Sequence, residues 1–498
     1  MKEIPLLMLL VYSYEDGLVK GVPLSPLEIG SLLVYDSKDR KVLLKVVGFE
    51  YVSSVEESRL VERAVNRVNE AFPYPLTPLS EPSKLVAKLK VVAELSEKGP
   101  VPFKSYIEPD SFLREPTSED LSFLSKGGLF LGYLRSGSKR LNIPVKLDPE
   151  KVLTKHVIIS ATTGRGKSNL LKVMLWSLLD EPKVGVLVMD AHREYFEALS
   201  KHPNASENLV AFSPYPSRGE LELSISTSLI EPSDISGSTP VTEAQFRLMW
   251  KFREMKGKEW IKSIFEVEEK ELEQTEISPW IVLKAKLSKL LYIVGNECKG
   301  VFKAWDYEDN YSLSFLDLVK KSLNEGKVVL IDTSALSEEA ELLIGNLIAN
   351  HMLTERRRRR DKEFTPVVFA IEEAPRVLGK DVPDNAYQRV AREGRKFGLG
   401  IIAITQLLTV IPDDILANVN TKIYMGMASG RERRAAIDNA MHDLEGEEEE
   451  FAKLNVGEAI MSSSEVGMPV PIYVPDISEL IRKVKMVAGQ TDKIVEDD

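Results

Sequence analysis

A single cysteine, Cys298, is all the thiol the 498-residue chain has. That excludes a disulfide within the chain and a cysteine-rich zinc site. Histidine is scarce too: the five residues His156, His192, His202, His351 and His442 show no H-x-x-x-H or similar spacing, so no structural metal is expected. No run approaches the roughly 18 uncharged apolar residues of a membrane-spanning helix. The opening "IPLLMLLVYSY" has only Lys2 ahead of its apolar run and no small-residue cleavage site, which predicts a first strand rather than a secretory signal. A cytoplasmic protein without membrane contact is the expectation. Excess positive charge is also missing, with 65 Lys and Arg against 76 Asp and Glu and a formal charge of -11. This balance excludes coating of nucleic acid by bulk basicity, while a local basic channel stays possible.

What is present is an ordinary globular composition, 43% hydrophobic and 28% charged, in a chain long enough for two or three domains. Up to Pro149 short β-rich runs dominate. "SLLVYDSKDRKVLLKVVGFEYV" predicts a hairpin around Asp36–Asp39, and "KLVAKLKVVAEL" alternates as a half-buried strand does. One helix, "VEESRLVERAVNRVNEAF", interrupts. A small β-barrel over 1–149 hides the edges of so many short strands. From Lys155 the runs "HVIIS", "VGVLVMD", "KVVLID", "PVVFAIEE", "LGIIAIT" and "TKIYMGM" alternate with helical patterns. Strands apolar on both faces predict a parallel sheet covered by helices, an α/β core of residues 150–213 and 326–475. Residues 214–325 read as a helical insertion and 476–498 as a loose tail. The run Arg356–Arg360 reads as a solvated helix end, its cations at the negative pole of the dipole.

The stretch "HVIISATTGRGKSNLLKVML", His156 to Leu175, carries the chemistry. An apolar strand stops at a glycine-bearing basic loop, and from Lys167 a helical spacing of Leu170, Leu171, Met174 and Leu178 takes over. Backbone N–H groups of such a loop and the helix N-terminus converge on one spot, an anion cradle in which Lys167 reaches the outer phosphates of a nucleotide and Ser168 the magnesium ion. Thr163, Gly164, Arg165, Gly166, Lys167, Ser168 and Asn169 are the candidate nucleotide contacts. Ala161 stands where the pattern has its first glycine, a change that costs little if its φ is negative. "PVVFAIEEA" is an apolar strand ending in Glu372 and Glu373. Strand carboxyl ends share one edge of a parallel sheet, so one carboxylate can hold Mg2+ through water and the next can take the proton of a water attacking the γ-phosphate. Gln406, closing "LGIIAITQ", can orient that water. Asp190, closing "VLVMD", suits either the magnesium shell or a DNA-facing loop. In "RVAREGRKFGLG", Arg392 and Arg395 are candidates to neutralise charge at a neighbouring subunit's site, and a solvated helix explains them equally well.

With "ATTGRGKSN", "VMDAHREY", "IEEA", "AREGRKFGLGIIAITQ" and "LNVGEAI" in this order, the chain resembles the HerA and FtsK superfamily of ring-shaped DNA motors, and within it archaeal HerA. The likeness extends from about Gly128 to Pro475; the residues before it share only a β-rich character with the family's HAS barrel. The resemblance implies a RecA-like P-loop ATPase core and a homo-hexamer that uses ATP and Mg2+ to thread duplex DNA through a central pore. It also implies partnership with a NurA-like nuclease, docked on the barrel face, in double-strand-break end processing. By the same resemblance Lys167 contacts phosphate, Ser168 and Glu372 serve magnesium, Glu373 activates water, Gln406 senses, and Arg395 acts across the subunit boundary. Three departures mark a divergent paralogue. Lys155 replaces the arginine that usually precedes the histidine of the phosphate-loop strand, Pro375 replaces a histidine, and "QLL" at Gln406–Leu408 replaces "QRP". Two functions stay open: an ATP-driven DNA translocase or helicase, and an ATP-gated partner-binding ATPase for which DNA is not the cargo.

Overall fold

Seven strands open the chain: β1 Leu7–Glu15, β2 Leu18–Pro23, β3 Leu32–Asp36, β4 Lys41–Tyr51, β5 Leu85–Ser96, β6 Gly99–Val101 and β7 Phe112–Arg114. The computed structural model describes residues 7–495 except 16, 53–57, 60, 63–84, 295–296, 304–313 and 360–362. Neighbouring strands run antiparallel in the order β2-β1-β7-β3-β4-β5, and β5 returns to β2, so six strands close into a barrel with β6 appended. Closure leaves few open edges. Leu9, Val11, Val19, Leu33, Leu44 and Leu89 are among the side chains that fill it. The hairpin of β3 and β4 lies where its sequence places it, with the turn between Asp36 and Lys41. The expected helix over 55–72 falls almost wholly outside the described residues. A second hairpin follows, β8 Leu129–Ser136 and β9 Lys139–Leu147. Grouped with the barrel in the sequence reading, it belongs to another sheet.

Two compact units divide the chain, one of Met1–Asp148, Ile159–Val173 and Asn420–Asp476, the other of Pro149–Ile158, Met174–Val419 and Ile477–Asp498. The boundary passes through β10 Val157–Ser160. In the second unit lie β11 Gly185–Asp190, β12 Leu209–Ser213 and β13 Leu221–Glu222, then four two-residue strands, β14 Ile225–Ser226, β15 Ile293–Val294, β16 Glu297–Cys298 and β17 Phe302–Lys303. They are followed by β18 Val328–Asp332, β19 Val367–Ile371 and β20 Leu399–Thr405. The sheet order is β13-β12-β18-β11-β19-β20-β10, with parallel pairing from β13 to β20. Every residue of β11, β18, β19 and β20 is buried, as unbroken apolar runs require. The described residues of 214–325 are mainly helical. The helix Glu243–Lys256 starts at a capping box of Thr242 and Gln245. Two buried tryptophans, Trp260 and Trp280, anchor the segment by donating Nε1–H to the carbonyls of Ile230 and Ile264, each at 2.8 Å.

Two expectations fail here. Arg356, inside the helix Glu338–Arg358, is 3% exposed rather than solvated. Its guanidinium donates to the carbonyls of Phe397, Gly398 and Thr365 and to Asn324 Oδ1, at 2.8–3.0 Å, and burial pulls its pKa down to about 10. A chain that crosses the end of this helix needs a multidentate donor to satisfy its carbonyls, which sequence periodicity does not reveal. Within the segment expected as a loose tail, Ile477–Val495 is helical instead.

In the first unit β10 continues into a sheet of order β10-β21-β22-β23-β8-β9, where β21 is Thr421–Met425, β22 Glu458–Ser463 and β23 Val470–Tyr473. From β21 to β9 the neighbours are antiparallel. "TKIYMGM", expected among parallel strands, therefore pairs in the opposite sense with β22, and the short turn between β22 and β23 allows only antiparallel pairing.

Candidate active site

The phosphate loop starts where β10 ends, at Ser160, and the helix Lys167–Leu178 takes over from it. Gly164 and Gly166 have φ of 78° and 100°, the region where a β-carbon is strained. Ala161 is fully buried and is not among the residues of positive φ, so its methyl group is accommodated without backbone strain. Neighbouring backbone holds the loop in shape. The Thr162 N–H and hydroxyl both donate to the carbonyl of Gly426, at 3.1 and 2.9 Å. Lys167 Nζ donates to the carbonyls of Ala161 and Thr162, at 3.0 and 3.2 Å, which keeps the ammonium over the loop. Thr163 and Gly164 are exposed, and Ser168 is half-buried at the start of the helix.

Two of the expected nucleotide contacts have other work. Arg165 Nη1 donates to the carbonyl of Leu454 at 3.1 Å, while its own carbonyl accepts from the N–H of Gly457 at 3.3 Å. Asn169 Nδ2 donates to the carbonyl of Pro475 at 2.9 Å. Both side chains fasten the loop to its scaffold, because the carbonyls they meet have no strand partner at those positions. The stretch "LNVGEAI", recognised in sequence without a role, supplies Leu454 and Gly457. Gly426, at the end of "TKIYMG", had no such signal.

In the second unit the carboxyl ends of the parallel strands gather the acids. Glu372 and Glu373 follow β19; Glu372 is half-buried and Glu373 exposed. Glu373 has φ of 53°, a left-handed conformation that a glutamate adopts only under constraint. The Tyr195 hydroxyl donates to Glu372 Oε1. Gln406 Nε2 donates to Glu373 Oε1 at 3.4 Å, so the amide after β20 meets the carboxylate after β19. Asp190, at the end of β11, is not an open ligand. It is 2% exposed, and its carboxylate accepts from the N–H groups of Glu194, Tyr195 and Phe196 at 3.0–3.4 Å. Burial raises its pKa against those three bonds. Asp190 thus starts the helix Glu194–Leu199 and so positions Tyr195, a role the sequence did not suggest. A cavity of about 530 Å³, lined by Glu372, Glu341, Arg376 and Tyr387 among others, opens beside this edge. Burial also pushes the Glu341 carboxyl up, while a 2.6 Å bond from the Thr333 hydroxyl opposes it.

The remaining candidates stand at the opposite, amino end of the strands. Arg395 lies in the 3-10 turn Gly394–Phe397 that leads into β20. Seven residues of strand separate it from Gln406, about 20 Å at the usual rise. Lys155 likewise precedes β10. His156 follows with φ of 60°, and its Nδ1 accepts from the N–H of Ile401 at 3.1 Å, which puts the proton of the neutral ring on Nε2. Burial, then the nearby charge of Arg395, pulls the imidazole pKa down to about 4. Arg395 is exposed and makes no ion pair among the described residues. Arg392 does: its Nε is 2.8 Å from Asp414 Oδ2. The structure therefore brings Glu372, Glu373 and Gln406 together and sets Arg392, Arg395 and Lys155 apart from them.

Residues 129–352 match the family model for the central domain of helicase HerA. The DNA double-strand break repair helicase HerA of Sulfurisphaera tokodaii is 28% identical over 418 residues, which span 79% of this chain and 78% of that protein. Its namesakes in Sulfolobus acidocaldarius and Pyrococcus furiosus are 25% and 21% identical, over 79% and 81% of this chain and 78% and 79% of their own lengths. Among solved structures, the bacterial conjugative coupling protein TrwB in an unbound monoclinic form shares the fold, with a TM-score of 0.50 at 13% identity over 76% of this chain and 96% of that one. The phosphate loop lies within the matched central domain and the likeness to HerA proteins spans most of the chain, so in sequence it resembles the HerA-type P-loop ATPases, a similarity that supports an ATP-hydrolysing enzyme.

Proposed function

We propose that the chain is an ATP-driven DNA translocase or helicase that works as a homo-hexameric ring in double-strand-break end processing or a related DNA transaction. The relatives named as DNA double-strand break repair helicases support the substrate. The observation that carries the ring is the placement of charge along β20. Gln406 and Glu373 meet at one end, and Arg395, exposed and without an ion pair among the described residues, stands a strand length away at the other. Arg395 is thus available to an ATP site on the next subunit, where an arginine from outside compensates the charge that spreads over the γ-phosphate.

In this reading Lys167, the N–H groups of Thr163 to Gly166 and the start of the helix hold the β- and γ-phosphates. The Ser168 hydroxyl and the Glu372 carboxylate are the hard oxygen donors that suit Mg2+, which when bound neutralises phosphate charge. Glu373 takes the proton as water oxygen bonds to the γ-phosphorus and the bond to the bridging oxygen of ADP breaks. Gln406, in contact with Glu373, orients that water. Lys155 joins Arg395 at the amino end as a point charge without an arginine's planar fork. DNA is the cargo of the central pore, a NurA-like nuclease is the partner for the barrel face, and a cytoplasmic location goes with both.

Steady-state ATP hydrolysis with and without linear duplex DNA, with Glu373→Gln as the blank, tests the proposal. Several-fold stimulation is expected, and it should weaken as salt displaces phosphate contacts. Hydrolysis indifferent to DNA at low salt would remove the motor and leave an ATP-gated partner-binding ATPase.

A further inference from the structure

A cluster of four charges is buried inside the first unit, far from any requirement of hydrolysis chemistry. Lys45 on β4 bonds through Nζ to Glu447 Oε2, and lies 3.1 Å from Glu450 Oε2. Arg135 on β8 reaches Glu450 Oε1 at 2.5 Å and the carbonyl of Gly137 at 2.6 Å. None of the four side chains is more than 4% exposed. Two cations and two carboxylates compensate one another, but taking all four out of water offsets most of the gain. What such a cluster secures is position: Glu450 lies in the helix Glu448–Lys453 and Glu447 immediately before it, while Lys45 belongs to the barrel. The next residue after that helix is Leu454, whose carbonyl holds Arg165 of the phosphate loop, and Gly457 holds the Arg165 carbonyl.

We propose that Arg165 is a positioning residue, and that the barrel sets the shape of the phosphate loop through the path Lys45, Glu447 and Glu450, Leu454, Arg165, with Arg135 of β8 holding Glu450 from the other sheet. The path rests on the ATP-site reading above and adds to it a control from the barrel. Each link is a hydrogen bond, an ion pair or a single helical turn, so a displacement of the barrel strand is passed on rather than absorbed. There is room for the displacement. A cavity of about 360 Å³, lined by Ile29, Phe49, Arg135, Glu450, Leu454 and Asn455 among others, flanks the segment 447–457, the strap between the barrel and the phosphate loop. A partner that shifts the barrel therefore alters ATP affinity without touching the nucleotide.

The full-length variants Arg165→Ala, Glu450→Gln and the double mutant test the path by their KM for ATP and their kcat. Each single change is expected to raise KM about three- to tenfold with kcat within about twofold. The double mutant should be no worse than the weaker-binding single within about twofold, because both cut one path. Arg165→Lys, which can still reach the Leu454 carbonyl, should recover part of the affinity. KM effects that multiply in the double mutant, or a normal KM in Glu450→Gln, overturn the coupling. Should Glu450→Gln not fold, hydrogen exchange of the wild type with and without ADP decides: slowing at 41–51 and 447–457 as well as in the loop supports the path, and slowing confined to the loop overturns it. Wild-type protein that binds neither ATP nor ADP overturns the ATP reading and the strap together; normal binding with independent variant effects overturns the strap alone.

Discussion

Glu373 and Lys167 are one charge each, and their different places in the fold separate their expected effects. Lys167 starts a helix and lies over the loop, so Lys167→Ala should weaken nucleotide binding first. Glu373→Gln keeps shape and the contact with Gln406 but cannot accept a proton, so binding should persist while turnover drops by about 10²- to 10⁴-fold. Fluorescent-nucleotide titration beside single-turnover hydrolysis distinguishes them, and equal losses of affinity would put Glu373 in the wrong role. His156 links a residue to pH. Its folded pKa near 4 lies below the ordinary value of 6.5, so between those pH values the unfolded chain binds more protons. Stability therefore rises with pH across that window and is lost as pH falls from 6.5 toward 4, by up to about 3 kcal/mol for the full shift. Urea unfolding at pH 7 and pH 5 should show a smaller difference for His156→Asn, which tolerates the left-handed backbone and carries no titrating ring. An unchanged difference would mean that other groups control the slope.

At the scale of elements, strands were legible where both faces are apolar, as in "VLVMD" and "VVFAI". β12, which follows directly on the helix Ala205–Asn208, was not, and no local signal marks that it pairs beyond β18. The arginine run shows why charge pattern misleads. Its sequence looks uniform, yet Arg356 is turned into the layer behind β20 while Arg358 is exposed at the helix end. Arg356→Ala should destabilise by about 3 kcal/mol, since four acceptors lose a charged donor, whereas Arg358→Ala should stay within about 0.5 kcal/mol. Denaturant midpoints at constant m-value measure both, and similar losses would contradict the burial of Arg356.

For the whole molecule, the proposed sharing of a site between subunits makes a prediction that no single chain can meet. Arg395→Ala and Glu373→Gln should each be inactive alone, and mixing them should restore part of the hydrolysis, because some interfaces then pair an intact Arg395 with an intact Glu373. No recovery, in a mixture shown by light scattering to have exchanged subunits, would weigh against action in trans. The chemical inventory was readable from the chain itself: a strand, a glycine loop with Lys167 and Ser168, and acids at a strand end are local patterns whose spacing follows from backbone geometry. Tertiary structure alone decided which of the candidate residues are held by neighbouring backbone. Asp190, Arg165 and Asn169 carry the right chemistry in sequence, but buried N–H groups and carbonyls claim them, because an unmet backbone group inside a protein costs more than a side chain diverted to meet it.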